Sequence, residues 1–256
     1  AVQLALWSMT GETGYATALT APQWGFQDVM FDGKSIVLSR ALSDYAMSNI
    51  LLKVSFPAEF HAQTAAEAAI TLHPQVINRL DSIREIRIHT QESAMRIIDK
   101  RGPLTSPADR DHCLQYIVAV ALLHGNLTAE HYQDTAAEDV RIDQLRDKMV
   151  VMEDPRYTHD YLHPDLRSIA NRVEVLFEDG TSSGCVEVEF PLGHRRRRSE
   201  SLIPLQSKFR ENAATCFAPS RVDALLTLML EEPVFPDMRV SKFMDLLTLT
   251  APDNVA

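Results

Sequence analysis

The stretch VEVLFEDGTSSGCVEVEF, Val173 to Phe190, constrains the fold more than any other part of the chain. Val173, Val175 and Phe177 alternate with polar residues, as do Val186, Val188 and Phe190 after the intervening Asp179-Gly180. A period of two puts each apolar set on one face, which predicts a hairpin with a connection longer than the tightest two-residue turn. IREIRIHT predicts another half-buried strand, with Ile86 and Ile88 on one face and Glu85, Arg87 and His89 on the other.

The segments around these strands read as helices. In SPADRDHCLQYIVAVALLHG, Ser106 can cap a helix, Pro107 suits its first position, Asp109 favours its positive end and Gly125 ends it. The spacing predicts one continuous helix over 106–124. Pro57 fits the first turn of another, propagated from Ala58 to Leu72. LTAEHYQDTAAEDVRIDQLRDKM predicts two shorter helices, and LIPLQSKFRENAATCF, SRVDALLTLMLEE and VSKFMDLLTL are helical too. Residues 1–9 read as the end of a helix, followed by a Gly-, Thr- and Pro-containing loop and a short hairpin around Asp32-Gly33. Helices, a strand-bearing middle and helices again indicate an α+β fold: a mixed module over 50–198 inserted in a discontinuous helical body contributed by 1–49 and 199–256.

At 256 residues the chain can hold one large or two ordinary domains. Its net charge of −10 argues against a general binder of nucleic acid or of anionic membranes. Cys113, Cys185 and Cys216 are far apart and form no CxxC, as expected of reduced structural thiols in the cytosol. There is no signal-peptide pattern and no apolar run of transmembrane length. The opening AVQLALWSMTGETGY lacks an initiator Met and starts inside a helix-like run, so it reads as the middle of a longer protein. GxGxxG, P-loop, HExxH and GxSxG motifs are missing, and the histidines have no metal-ligand spacing. Redox-cofactor, NTPase and metallohydrolase readings lose ground accordingly.

Three groups can carry chemistry. In LLKVSFPAEFHAQTAAEAA, Lys53 precedes a helix start and His61 sits within it. A helix N-terminus dislikes a cation, but the same geometry with an ammonium makes a cradle for a carboxylate ligand. The alternative is a snorkelling lysine and a capping or core histidine. His112 and Tyr116, four apart on the 106–124 helix, would share one stripe. They suit acid–base chemistry and oxyanion donation, or a plain hydrogen bond within a helical interface. GHRRRRSES is the one dense basic run; Arg195 and Arg196 there can grip carboxylates, join an ion pair between subunits or form a solvated turn.

LLKVSFPAEFHAQTAAEAA, IIDKRGPLTSPADRDHCLQYIVAVALL and VEFPLGHRRRR…IPLQSKF together resemble the C-terminal half of the MmgE/PrpD family, and MTGETGYATALTAPQWGFQDVMF resembles its Gly-rich connection. The resemblance implies a discontinuous all-helical domain carrying a small α+β lid, a homodimer, no metal or organic cofactor, and an active site between lid and helical domain. It implies hydro-lyase chemistry on a small tricarboxylate, the loss of water from 2-methylcitrate in propionate breakdown, with decarboxylation of cis-aconitate as the alternative within the family. A non-catalytic lid and dimerisation fragment is the alternative of another class. By motif, the lid's lysine falls on Lys53, its histidine on His61, and the HxxQY pattern on His112 and Tyr116; the other site residues would lie upstream of Ala1. Where the family runs into Gly-Ile-Pro, this chain has SESLIP, one residue longer and without the glycine, which bears on the turn carrying Arg195 and Arg196.

Overall fold

The computed structural model describes residues 1–37, 49–230 and 235–248, and the chain divides into two compact units, 1–49 and 50–256. The first unit contains α1 (Val2–Met9) and α2 (Phe26–Phe31). Neither helix buries a residue, and Leu4, Leu6, Trp7, Met30 and Phe31 are exposed. The hairpin expected at Asp32-Gly33 does not form. Asp32 closes α2 in a left-handed conformation, and Gly33, at φ +75°, returns its N–H to the Gln27 carbonyl. The same tolerance of positive φ that suits a hairpin turn here serves a helix C-cap.

The second unit opens with an extended segment into a 3-10 turn, Phe60–Ala62, and α3 (Gln63–Val76). The helix thus begins later than Pro57. Gln63 explains the delay: its side chain donates to the Phe56 and Ala58 carbonyls at 2.8 and 3.0 Å and accepts from the Phe56 N–H. These bonds hold 56–58 as a loop closed onto the helix start. β1 (Ile83–Thr90) follows, then α4 (Glu92–Ile98), α5 (Pro107–Asp111), α6 (Leu114–His124), α7 (Asp134–Ala137), α8 (Val140–Asp147), β2 (Met149–Glu153) and α9 (Pro155–Leu162). β3 (Asn171–Phe177) and β4 (Ser182–Val188) form the expected hairpin, and α10 (Arg198–Ala214), α11 (Pro219–Leu230) and α12 (Val240–Leu246) complete the described chain. SESLIP lies within α10, with Pro204 in the helix interior.

The sheet order is β2-β1-β3-β4, parallel between β2 and β1 and antiparallel elsewhere. This is an α+β architecture. Ile86, Ile88, Val173, Val175 and Phe177 are buried on one face, where α3 packs across β3 and β4. α6 lies against α3 and is buried from Leu114 to Leu123, as a helix apolar on all sides must be. Ala62, Ala65, Ala66, Ala68 and Ala69 are wholly buried. They allow the close approach of the unit's own elements.

The helix expected over 106–124 is broken. Ser106 caps α5 as anticipated, accepting from the Asp109 N–H. The Asp111 carbonyl, which a continuous helix would use four residues on, accepts instead from the Glu59 N–H at 3.0 Å, and Cys113 is extended. His112 and Tyr116 consequently do not share a helical stripe.

Candidate active site

Gly193 brings two distant motifs together. Its carbonyl accepts from the Leu52 N–H at 3.3 Å, and its φ of +99° belongs to a region L side chains rarely adopt. A Cβ at this position would lie 2.0 Å from the Leu52 carbonyl oxygen and 3.0 Å from Val54 Cγ2. Only glycine lets the strands of chain close here. Arg198 adds a bond from its guanidinium to the Ile50 carbonyl at 2.5 Å. The Lys53 segment is thereby fixed along the start of the arginine run.

Lys53 is exposed, with its Nζ 5.8 Å from the centre of the Phe60 ring and its carbonyl held by Lys208 Nζ at 2.5 Å. Arg195 and Arg196 occupy a 3-10 turn, Arg195–Arg197. Both donate through Nη2 to the Asp165 carbonyl, Arg196 at 3.1 Å, and Arg196 also lies over the Phe190 ring. Among the described residues none of Lys53, Arg195 and Arg196 has a carboxylate partner, whereas Arg197 is committed to Glu67 at 2.9 and 3.0 Å and to Glu200. The run is therefore divided: Arg197 ties α10 to α3 through Glu67, and Arg195 and Arg196 reach the Asp165 carbonyl.

His194, wholly buried before the arginines, accepts the Arg196 N–H at Nδ1 and stacks on Phe190. Burial, followed by the charges of Arg195 and Arg196, pushes its imidazole below the ordinary range, against the opposing pull of the Arg167 and Leu166 carbonyls.

His61 sits in the turn before α3 with a partner on each ring nitrogen. Nδ1 is 2.8 Å from Glu59 Oε1, and Nε2 is 3.2 Å from the Tyr161 hydroxyl. Glu59 Oε2 also accepts the His61 N–H at 2.7 Å. The side chains of His61 and Glu59 are 12% and 13% exposed, so water only partly screens the pair. Burial works to raise the Glu59 carboxyl, but its bonds to His61 and the Phe60 N–H outweigh it and hold the group below the usual carboxylate range. Asn171, wholly buried at the start of β3, fixes the backbone beneath: its Nδ2 donates to the His61 carbonyl and to Thr64 Oγ1, both at 2.7 Å.

The other expected residues lie apart from this arrangement. His112 is exposed and bound to Asp111 at 2.5 Å, reaching Glu59 only through the Asp111 backbone. Tyr116 is buried in α6, donates to the His131 carbonyl at 2.7 Å and stacks on Tyr132. Burial raises its hydroxyl above the ordinary phenol range. A cleft of about 550 Å³ opens beside Val54, Ser55 and Pro57, between Thr128–Glu130 and the Lys208 side of α10, but neither His61 nor the arginines line it. Among the described residues no group of His, Cys, Asp and Glu is arranged to hold a metal ion. No described helix is long and apolar enough to cross a membrane.

Glu59, Tyr161, Asn171 and His194 were not singled out in the sequence. Glu59 had a signal in its place two residues before His61, and His194 in preceding the arginines; Tyr161 had none.

Residues 56–232 match the MmgE/PrpD C-terminal domain, and the chain belongs to that family. It is 48% identical over 252 residues to the 2-methylcitrate dehydratase of Escherichia coli K12, and 49% identical over 252 residues to that of Cupriavidus necator, covering 97% of this chain and 52% of each relative. The mitochondrial 2-methylcitrate dehydratase of Yarrowia lipolytica is 47% identical over 250 residues, 96% of this chain and 48% of the relative. The chain spans about half the length of these curated relatives.

Proposed function

We propose that this chain forms the lid-side half of a 2-methylcitrate dehydratase, which removes water from 2-methylcitrate to give 2-methyl-cis-aconitate. The observation that carries this reading is the identity of nearly half the residues to curated 2-methylcitrate dehydratases along 97% of the chain. The site chemistry agrees with it. Proton loss beside a carboxylate builds a second negative charge, and hydroxide leaves poorly unless protonated, so the reaction needs cations and an acid. Lys53, Arg195 and Arg196, without a carboxylate partner among the described residues, supply positive charge on adjoining segments, and His61 supplies a proton-carrying ring.

In this reading Lys53 holds a substrate carboxylate, Arg195 and Arg196 hold another, and His61 serves the departing hydroxyl. Tyr116 and His112 stay candidate catalytic residues by motif; their present contacts give them structural work, and a role at the substrate would need Tyr116 to leave the His131 carbonyl. The same reading carries a small tricarboxylate substrate, a homodimer and a cytoplasmic enzyme without metal or organic cofactor.

The exposed apolar side chains of α1, α2, α10 and α12 favour a second statement: the chain alone is inactive, because those faces need packing partners before a site is complete. The test follows ultraviolet absorbance of the conjugated double bond formed from 2-methylcitrate, with this chain and with a chain extended upstream to the relatives' length. Turnover only in the extended chain supports both statements, and turnover in the short chain overturns the second. Silence in both, with carbon dioxide released from cis-aconitate by the extended chain, overturns the first.

A further inference from the structure

Among the described residues, Tyr161 is the one side chain that meets the outer nitrogen of His61. It comes from the last turn of α9, 100 residues along the chain. The rings are tilted at 44° with centroids 5.4 Å apart, so packing as well as the hydrogen bond sets their geometry. Tyr161 is half-buried, which leaves part of the phenol accessible. Behind His61 stands Glu59, and beneath it Asn171 fixes the backbone, so the ring cannot easily turn away. Glu59, His61 and half-buried Tyr161 thus stand in one hydrogen-bonded row, in which the tautomer and protonation of His61 set which group donates.

We propose that Tyr161 is the terminal member of a Glu59–His61–Tyr161 relay and delivers the proton to the departing hydroxyl; this rests on the dehydratase reading above. With both ring nitrogens protonated, Nδ1 donates to Glu59 and Nε2 to the Tyr161 oxygen, which leaves the phenolic O–H to point outward. As the substrate C–O bond breaks and its electron pair leaves with oxygen, the Tyr161 proton passes to that oxygen and makes water. The Nε2 proton then moves to the phenolate, leaving His61 neutral with Nδ1–H still on Glu59. A carboxylate or imidazole base on the substrate's other side takes the C–H proton, whose electron pair becomes the double bond, and exchange with solvent restores both groups. Glu59 is a positioning residue: it fixes which nitrogen faces Tyr161.

The test uses the extended chain. Tyr161→Phe keeps the ring and removes the hydroxyl; kcat for 2-methylcitrate should fall on the order of 10²-fold with KM changed less than about twofold. Glu59→Gln should lower kcat similarly and displace the acid limb of its pH profile. The His61 Nε2 resonance, followed by ¹⁵N NMR, should shift in Tyr161→Phe because its hydrogen bond is gone. An unchanged kcat in Tyr161→Phe overturns the relay, as does an unchanged His61 resonance. If the unsubstituted extended chain does not turn over 2-methylcitrate, the dehydratase reading fails, and the resonance alone then decides whether Tyr161 governs His61.

Discussion

Replacing Gly193 by alanine tests the junction on which the site is built. The new Cβ would stand 2.0 Å from the Leu52 carbonyl oxygen and 2.9 Å from the carbonyl carbon. Backbone cannot swing aside as a long side chain can, so the Lys53 segment must move bodily or Gly193 must change conformation. Overpacking of this kind costs about 1–3 kcal/mol. A positive φ for alanine adds about 1–2 kcal/mol, and losing the Leu52–Gly193 hydrogen bond adds about 0.5–1.5 kcal/mol. The expected loss is about 3–6 kcal/mol, which lowers Tm by about 6–24 °C in a unit of this size. Gly180→Ala is the control, because Gly180 has φ +80° but nothing within 4 Å of its would-be Cβ, so only the conformational part applies. Both are read by thermal unfolding followed by circular dichroism. Equal shifts for the two variants would refute the reasoning, since contact with Leu52 would then count for nothing.

Other substitutions probe the groups around the site. Asn171→Leu should cost about 1–3 kcal/mol in urea unfolding, because the His61 carbonyl loses its buried donor; an unchanged midpoint would show that the carbonyl finds another. Arg197→Lys should lower stability by up to about 1 kcal/mol through loss of the paired bonds to Glu67, with the partly exposed setting limiting the effect. The lowered imidazole of His194 means the folded state binds fewer protons than the unfolded state just below the ordinary value of 6.5. Its contribution is therefore complete above about pH 6.5 and is lost as pH falls towards its folded value. Tm should drop on acidification, and His194→Gln should make that drop shallower.

The strands with strict alternation, β1, β3 and β4, were legible because one buried face dictates every second residue. β2 was not: MVVME carries no clean alternation, and only parallel pairing with β1 makes it a strand. The break between α5 and α6 was equally hidden. Ser106, Pro107 and Gly125 signal one helix, and the Glu59 N–H that takes the Asp111 carbonyl comes from a distant segment. The candidate site divides in the same way. Lys53, His61, Arg195 and Arg196 stand in motifs that a reader of the sequence can single out, but the meeting of the Lys53 segment with the arginine run depends on Gly193 reaching Leu52. Tyr161 reaches His61 only through the tertiary fold, and no local pattern marks it.

The central claim is that the segment around Lys53 faces a polycarboxylate undergoing dehydration. The most direct measurement is the turnover of 2-methylcitrate by the extended chain and by its Lys53→Ala variant, read as the rise of absorbance from the conjugated product. Loss of one charge-assisted contact worth about 1.5–3 kcal/mol predicts a fall in kcat/KM of about 10- to 100-fold. A Lys53→Ala variant that matches the unsubstituted protein would contradict the account.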